Sequence, residues 1–270
     1  MAGNHRSPYH GFAIEFAQHR EYSPGDDVRH LDWKVLARTE RYCIKQYEQE
    51  TNFVAHLIVD RSESMRFASG EVSKWHYAKM MAACIAYLTL QQRDSVALGL
   101  CSETLDDYLP RSDSRAQLFK ILSHLAAAEP DGHTRLGTVL GDLARQLKRK
   151  GIVVVISDFL DEADEALLSG IEHLRFLGHE VIAFQILDPM EIHFEVSGMV
   201  EFVGMESLPN LKTRPAEIRA SYLKEFERHT QWLKQTLRKH QCHFTQIDTS
   251  EPFEDVLATY VAFRNQGLGL

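Results

Sequence analysis

The stretch that most constrains this chain is Phe53-Val-Ala-His-Leu-Ile-Val-Asp-Arg-Ser-Glu-Ser-Met65. A short, partly β-branched apolar run reads as a strand buried on both faces of a parallel sheet. It ends in Asp60, followed by Ser62 and Ser64. Open α/β sheets place ligands at the carboxyl ends of their strands, which is where Asp60 falls. One carboxylate and two hydroxyls at alternate positions offer three hard oxygens, a set that suits a small hard cation such as Mg2+.

The rest of the chain repeats the strand–helix alternation. Trp75, Ala78, Met81, Ala82, Ile85 and Leu88 form an apolar stripe and predict a helix over about 72–92. Ser95–Cys101 reads as a second buried strand, and Asp107–Pro110 as a short edge strand, where proline is tolerated. Leu118, Ile121, Leu122 and Leu125 predict one helix, and Leu136, Val139, Leu140, Leu143 and Leu147 the next. Ile152–Asp158 is the most β-branched strand and again ends in aspartate. A helix over about 162–177 and a strand over 181–187 complete another βαβ unit. The class is therefore α/β, a doubly wound and mainly parallel sheet.

Residues 189–215 change character: 193–196 and 199–203 flank Ser197-Gly198 and read as a β-hairpin. Ile218, Tyr222, Phe226, Leu233 and Leu237 mark a long amphipathic helix, so an insertion spans about 189–240. His243–Ile247 is a last strand, and Phe253, Val256, Leu257 and Tyr260 line a closing helix. Residues 1–50 are polar and too poor in apolar groups for a core of their own, which predicts an appendage on a main domain over 51–270. Ser23-Pro24-Gly25-Asp26 fits a type II turn, and 42–49 alternates as a strand.

Charge and motifs exclude several functions. A net charge of −8 argues against nucleic acid as a partner, because phosphate binding needs a cationic face. No run approaches the ~20 apolar residues that cross a bilayer. With no signal peptide at its start, the chain is expected in the cytoplasm. Cys43, Cys84, Cys101 and Cys242 lie far apart with no CxxC spacing and read as reduced thiols. The chain has no HExxH, no Cys/His pairing at zinc spacing, no P-loop, no GxGxxG and no GxSxG. His56, within the central strand, reads as a buried, hydrogen-bonded side chain.

Two strands end in aspartate, Asp60 and Asp158, and such ends meet at the switch point of a doubly wound sheet. Thr134 precedes a helix and is placed to add a hydroxyl; Thr138 is a second threonine nearby, but Thr134 fits the loop better. Asp60, Ser62, Ser64, Thr134 and Asp158 together make a hard-oxygen site. Taken singly, each has a plainer role, since Ser62, Ser64, Thr134 and Asp158 all precede helical patterns and are suited to cap them. Arg61 offers another alternative: paired with Asp60, it would leave a fold without an ion. Arg20, Arg29 and Arg38 alternate with Asp26, Asp27 and Asp32, either as a structural ion-pair network or, with Trp33 as anchor, as a docking surface.

Asp60-Arg-Ser-Glu-Ser64 resembles the metal-ion-dependent adhesion site of von Willebrand factor A domains. Tyr22-x-Pro-Gly-Asp-Asp-x-Arg-x-x-Asp-Trp-x-x-x-Ala-Arg38 is more specific and resembles the bacterial family called domain of unknown function 58, as do the hairpin, the long helix and Asp248-Thr-Ser-Glu-Pro252. The resemblance implies a Rossmann-like sheet with helices on both faces. It also implies a Mg2+ (or Mn2+) ion on Asp60, Ser62, Ser64, Thr134 and Asp158, and capture of a partner's acidic side chain. Phe159 stands where many A domains carry glycine after that aspartate. Members of the family often accompany MoxR-type AAA+ ATPases as adaptors or chaperone-like partners, so such an ATPase is the expected partner. The competing expectation is a metal-dependent phosphoryl hydrolase with Asp60 as nucleophile or ligand and Asp158 as second ligand.

Overall fold

A computed structural model describes residues 14–23, 26–49, 53–160, 165–205, 210–253, 257, 258 and 261; for 14–18 and 45–49 it describes the main chain only. The chain divides into two compact units: Met1–Asn52 with Tyr260–Leu270, and Phe53–Thr259.

In the smaller unit, strand β1 (Ile14–Glu21) pairs antiparallel with β2 (Cys43–Gln49), and helix α1 (Trp33–Thr39) lies between them in sequence. Asp32 caps α1, accepting from Lys34 N at 2.9 Å and Val35 N at 3.3 Å. The expected turn closes through Asp26 N–H to Ser23 O at 3.0 Å, while Pro24 and Gly25 lie outside the described residues.

The larger unit runs β3 (Val54–Asp60), α2 (Lys74–Gln91), β4 (Ser95–Cys101), β5 (Leu105–Ser112), α3 (Arg115–Ala127), α4 (Leu136–Gln146), β6 (Ile152–Ser157), α5 (Glu165–Phe176) and β7 (Glu180–Leu187). Then come α6 (Pro189–His193), β8 (Val200–Phe202), β9 (Leu211–Thr213), α7 (Pro215–Lys239) and β10 (His243–Asp248). Six strands form one sheet in the order β10-β7-β6-β3-β4-β5, parallel except for the antiparallel edge strand β5.

Alternation of side chains sorts the core. Ile58, Val153, Val155, Val181 and Ala183 face a cluster from α4, α5 and α7 that includes Val139, Leu140, Leu143, Ile171, Leu174, Leu233 and Leu237. Leu57 and Val59 alternate to the opposite face, the side covered by α2, whose Ala78, Met81, Ala82 and Ile85 are fully buried. The chain leaves β3 for β4 on one side and returns to β6 on the other. The switch point therefore lies between β3 and β6, with Val59 opposite Ile156.

Three local readings differ from the sequence expectation. The expected hairpin arm 193–196 is not a strand: 194–196 are irregular, and His193 is the last residue of helix α6. Pro189 opens it, and Asp188 and Glu191 complete a reciprocal capping box that outweighs the alternation after it. The hairpin exists, but β8 pairs with β9, Val200 opposite Thr213. In α3, Leu122 is exposed and Gln117 is buried instead, because its amide donates to Val96 O at 3.1 Å and Pro110 O at 2.8 Å. Most of the expected closing helix lies outside the described residues.

Candidate functional site

Asp60 ends β3 and is 1% exposed. Its Oδ2 accepts from Ser157 Oγ at 2.6 Å and its Oδ1 from Ser62 N at 2.9 Å. Ser62 and Ser64 sit on a 3-10 turn (Glu63–Arg66), with their Oγ atoms 3.1 Å apart. Ser62 stands at the N-cap position but makes no side-chain cap bond, and Ser64 lies inside the turn. Thr134 is 9% exposed and is not the cap of α4 either; that position is Arg135. Thr138 is exposed on the helix. The capping alternative therefore does not account for Ser62, and Ser64 and Thr134 stand outside the cap positions.

The loop carrying Thr134 is tied to the Asp60 loop by main-chain bonds, Glu63 N to Gly132 O at 3.0 Å and Asp131 N to Arg61 O at 2.7 Å. Arg66 adds a bond to Pro130 O at 2.6 Å. Arg61 turns away from Asp60. Its guanidinium pairs with Asp106 at 3.0 Å and donates to Glu129 O at 3.2 Å. The alternative in which Arg61 neutralises Asp60 is thereby corrected: Asp106 lies at the start of β5, within reach of a side chain that extends along the loop.

Asp158 follows β6 and is also 1% exposed. Its Oδ1 accepts from Leu160 N at 3.2 Å, and the Ser64 hydroxyl bonds its carboxylate. Its Oδ2 is held by Lys74 Nζ at 2.7 Å. Gln185, on β7, donates to its main-chain oxygen at 2.9 Å. Phe159 adopts the left-handed backbone, φ +52°, which costs a non-glycine residue roughly 1 kcal/mol. Its ring is buried, and its carbonyl accepts from His229 Nε2 of α7 at 2.6 Å. A conformation that favours glycine is thus held here by packing and a hydrogen bond.

The two carboxylates differ in charge environment. Burial and the nearby charge of Asp158 push Asp60 up to about 7. Asp158 also suffers burial, but Lys74 reverses the sign and holds it below the usual carboxylate range. Asp60 has hydrogen bonds and no basic partner among the described residues; Asp158 has a cation. Lys74, Glu191, Ser157, Gln185 and His229 were not legible as site residues in the sequence. A lysine in the first turn of an amphipathic helix reads as solvent-facing, and nothing local marks it as buried.

Charged residues of the smaller unit pair with one another. Arg20 meets Asp26 at 2.7 Å, Arg29 meets Asp27 at 2.6 Å, and His19 meets Asp32 at 2.8 Å. Arg38 stands in the last turn of α1, where a cation suits the helix dipole. Trp33 is 66% exposed.

The sheet is the Rossmann-like, mainly parallel sheet that the von Willebrand A-like resemblance implied. Among solved structures, the conserved hypothetical protein BatB from Bacteroides thetaiotaomicron superposes with TM-score 0.53 at 14% identity, over 79% of this chain and 99% of that one. The SpRpn10 VWA domain matches more loosely, at TM-score 0.45 and 11% identity over 77% and 94% of the two chains. In sequence, uncharacterized proteins of Mycobacterium tuberculosis and Mycobacterium bovis are each 26% identical, over 99% of this chain and 84% of theirs. Residues 18–232 match the family described as protein of unknown function DUF58, and the chain belongs to that family.

Proposed function

We propose that this chain is a non-enzymatic binding module. Asp60, Ser62, Ser64, Thr134 and Asp158 hold Mg2+ or Mn2+, and the ion captures an acidic side chain of a protein partner. The observation that carries this reading is Asp60: a fully buried carboxylate with no basic partner among the described residues, at the end of the strand that leads into Ser62 and Ser64. A buried charge of this kind is costly unless a counter-charge arrives, and a divalent ion supplies one. The donors present are oxygens of carboxylate and hydroxyl type, as a hard ion requires. A bound ion supplies Lewis acidity toward a carboxylate, and neutral hydroxyls leave it more electrophilic than further acids would. The partner that the family resemblance implies is a MoxR-type AAA+ ATPase, and the Arg20–Arg38 region with exposed Trp33 is the second surface offered to it.

A phosphoryl hydrolase fits less well. The position two residues after Asp60 is Ser62, which offers no general acid, and the Lys74 ammonium is taken up by Asp158 and Glu191. Turnover of generic phosphate esters, lost in Asp60→Asn, would reverse this judgement.

The test is calorimetric titration of chelator-treated protein with magnesium and then manganese, with Asp60→Ala alongside. The wild type is expected to bind and the variant not to, with circular dichroism checking that the variant keeps its fold. Pull-down of the ATPase is expected to fail with the variant. Equal partner capture by folded Asp60→Ala would sink the reading.

A further inference from the structure

Lys74 opens α2 and is 0% exposed. Its ammonium lies between two carboxylates, Asp158 Oδ2 at 2.7 Å and Glu191 Oε1 at 2.6 Å. The second carboxylate is anchored independently of the first. Glu191 Oε2 accepts from Asp188 N at 2.9 Å in the capping box, and the Glu191 main-chain oxygen accepts from Tyr222 OH of α7 at 2.9 Å.

This arrangement has an electrostatic consequence for the ion site proposed above, on which the inference rests. One of its two aspartates already has a cation. A divalent ion must compete with the ammonium for the Asp158 charge. A buried ammonium paired with a single carboxylate would be orphaned if that carboxylate turned to another cation, a large penalty. Shared between two, it keeps Glu191. We propose that Lys74 is a resident competitor cation that sets the affinity of the site, and that Glu191 is the counter-charge to which it falls back when a divalent ion takes Asp158. Lys74 acts on the ion through Asp158 and is a positioning residue.

The two halves of this device predict changes of opposite sign. Lys74→Met combined with Glu191→Gln removes one positive and one negative charge with near-conserved volume. Mg2+ should then bind about tenfold tighter, because Asp158 is released. Glu191→Gln alone leaves Lys74 wholly committed to Asp158 and should weaken Mg2+ binding by about threefold or more. The measurement is isothermal titration of the full chain, chelator-treated, with magnesium chloride, checked by the magnesium-induced rise in melting temperature. A purely structural role would lower stability in both variants without moving affinity in opposite directions.

Equal affinities in all three proteins, or shifts of the same sign, would overturn the inference and leave the ion site standing. Binding by the double variant with none by the wild type would support the inference and remove the site from the native protein's function. Binding by none would overturn both. If the double variant fails to fold, Glu191→Gln alone decides: weaker binding supports the inference, and unchanged or tighter binding overturns it.

Discussion

His56 and Asp60 lie four residues apart on one strand, so they point to the same face, and burial acts on each against its charged form. Asp60 is pushed up to about 7; His56 is pushed down to about 4 by burial, with the charges of His179 and Arg111 adding to it. The His56 ring sits near Tyr108 OH at 3.3 Å and edge-on to His179, centroids 6.4 Å apart. A folded protein that holds this imidazole neutral loses stability where the unfolded chain gains its proton. The His56 contribution is therefore complete above pH 6.5 and is lost as pH drops from 6.5 toward 4, by up to about 3 kcal/mol, while the raised pKa of Asp60 contributes with the opposite sign as pH falls from about 7 toward 3.8. Burial lowers His179 as well and adds a loss of the same sign as that of His56. Denaturant melts from pH 7 to pH 4 should show His56→Gln gaining stability relative to wild type as pH falls; parallel curves would contradict the assignment. At this scale Asp60, Ser62 and Ser64 were legible in the sequence because their spacing is local, and Asp158 because it ends a second β-branched strand. Lys74 was not, since its burial depends on Asp158 and Glu191, 84 and 117 residues away.

At the scale of elements, α4 and α5 meet through glycines. A Cβ on Gly137 would lie 2.3 Å from Leu167 N and 2.4 Å from Ala166 C, and one on Gly170 would lie 2.9 Å from Gly137 O. These atoms are main chain, so the helices themselves would have to part. Gly141, one turn on, has nothing within 4 Å of its added Cβ. Gly137→Ala should thus destabilise by about 1–3 kcal/mol through overpacking, and Gly141→Ala should stabilise by about 1 kcal/mol through helix propensity. Thermal melts of the two variants check this, and shifts of equal sign would refute the close packing. Helix periodicity exposed both helices in the sequence, but not their closeness, which depends on which small residues face each other. The misread hairpin has a similar cause: alternation over 193–196 was visible, while the capping box that folds 188–193 into a helix competes with it locally.

For the whole molecule, the alternation of strands and helices through 53–263 was enough to give a mainly parallel sheet, and the aspartate at the end of each of two strands located the switch point. Strand β1 was not legible, because its partner β2 begins 22 residues after β1 ends and its own residues are mostly polar. The net charge of −8 bears on the proposed function. An acidic peptide approaching an ion on a negatively charged protein meets long-range repulsion before short-range attraction. Its association rate should rise as salt increases from low to physiological strength, the reverse of ordinary steering between opposite charges. Stopped-flow mixing with a short acidic peptide and magnesium-loaded protein measures this, and a rate that falls with salt would argue for a basic docking face instead.

Strand β5 runs against the direction of the other five and bounds the sheet on that side. At Pro110 it has no N–H to offer, and the Pro110 carbonyl already accepts from Gln117 at 2.8 Å, with Arg111 next in the chain. A strand from a second molecule that tried to extend the sheet would meet a stretch where the pairing with β4 is irregular, a residue without an N–H and a charge after it. The sheet is thereby protected against growth into polymers on that side, so concentrated protein should resist fibril formation there without help from a partner.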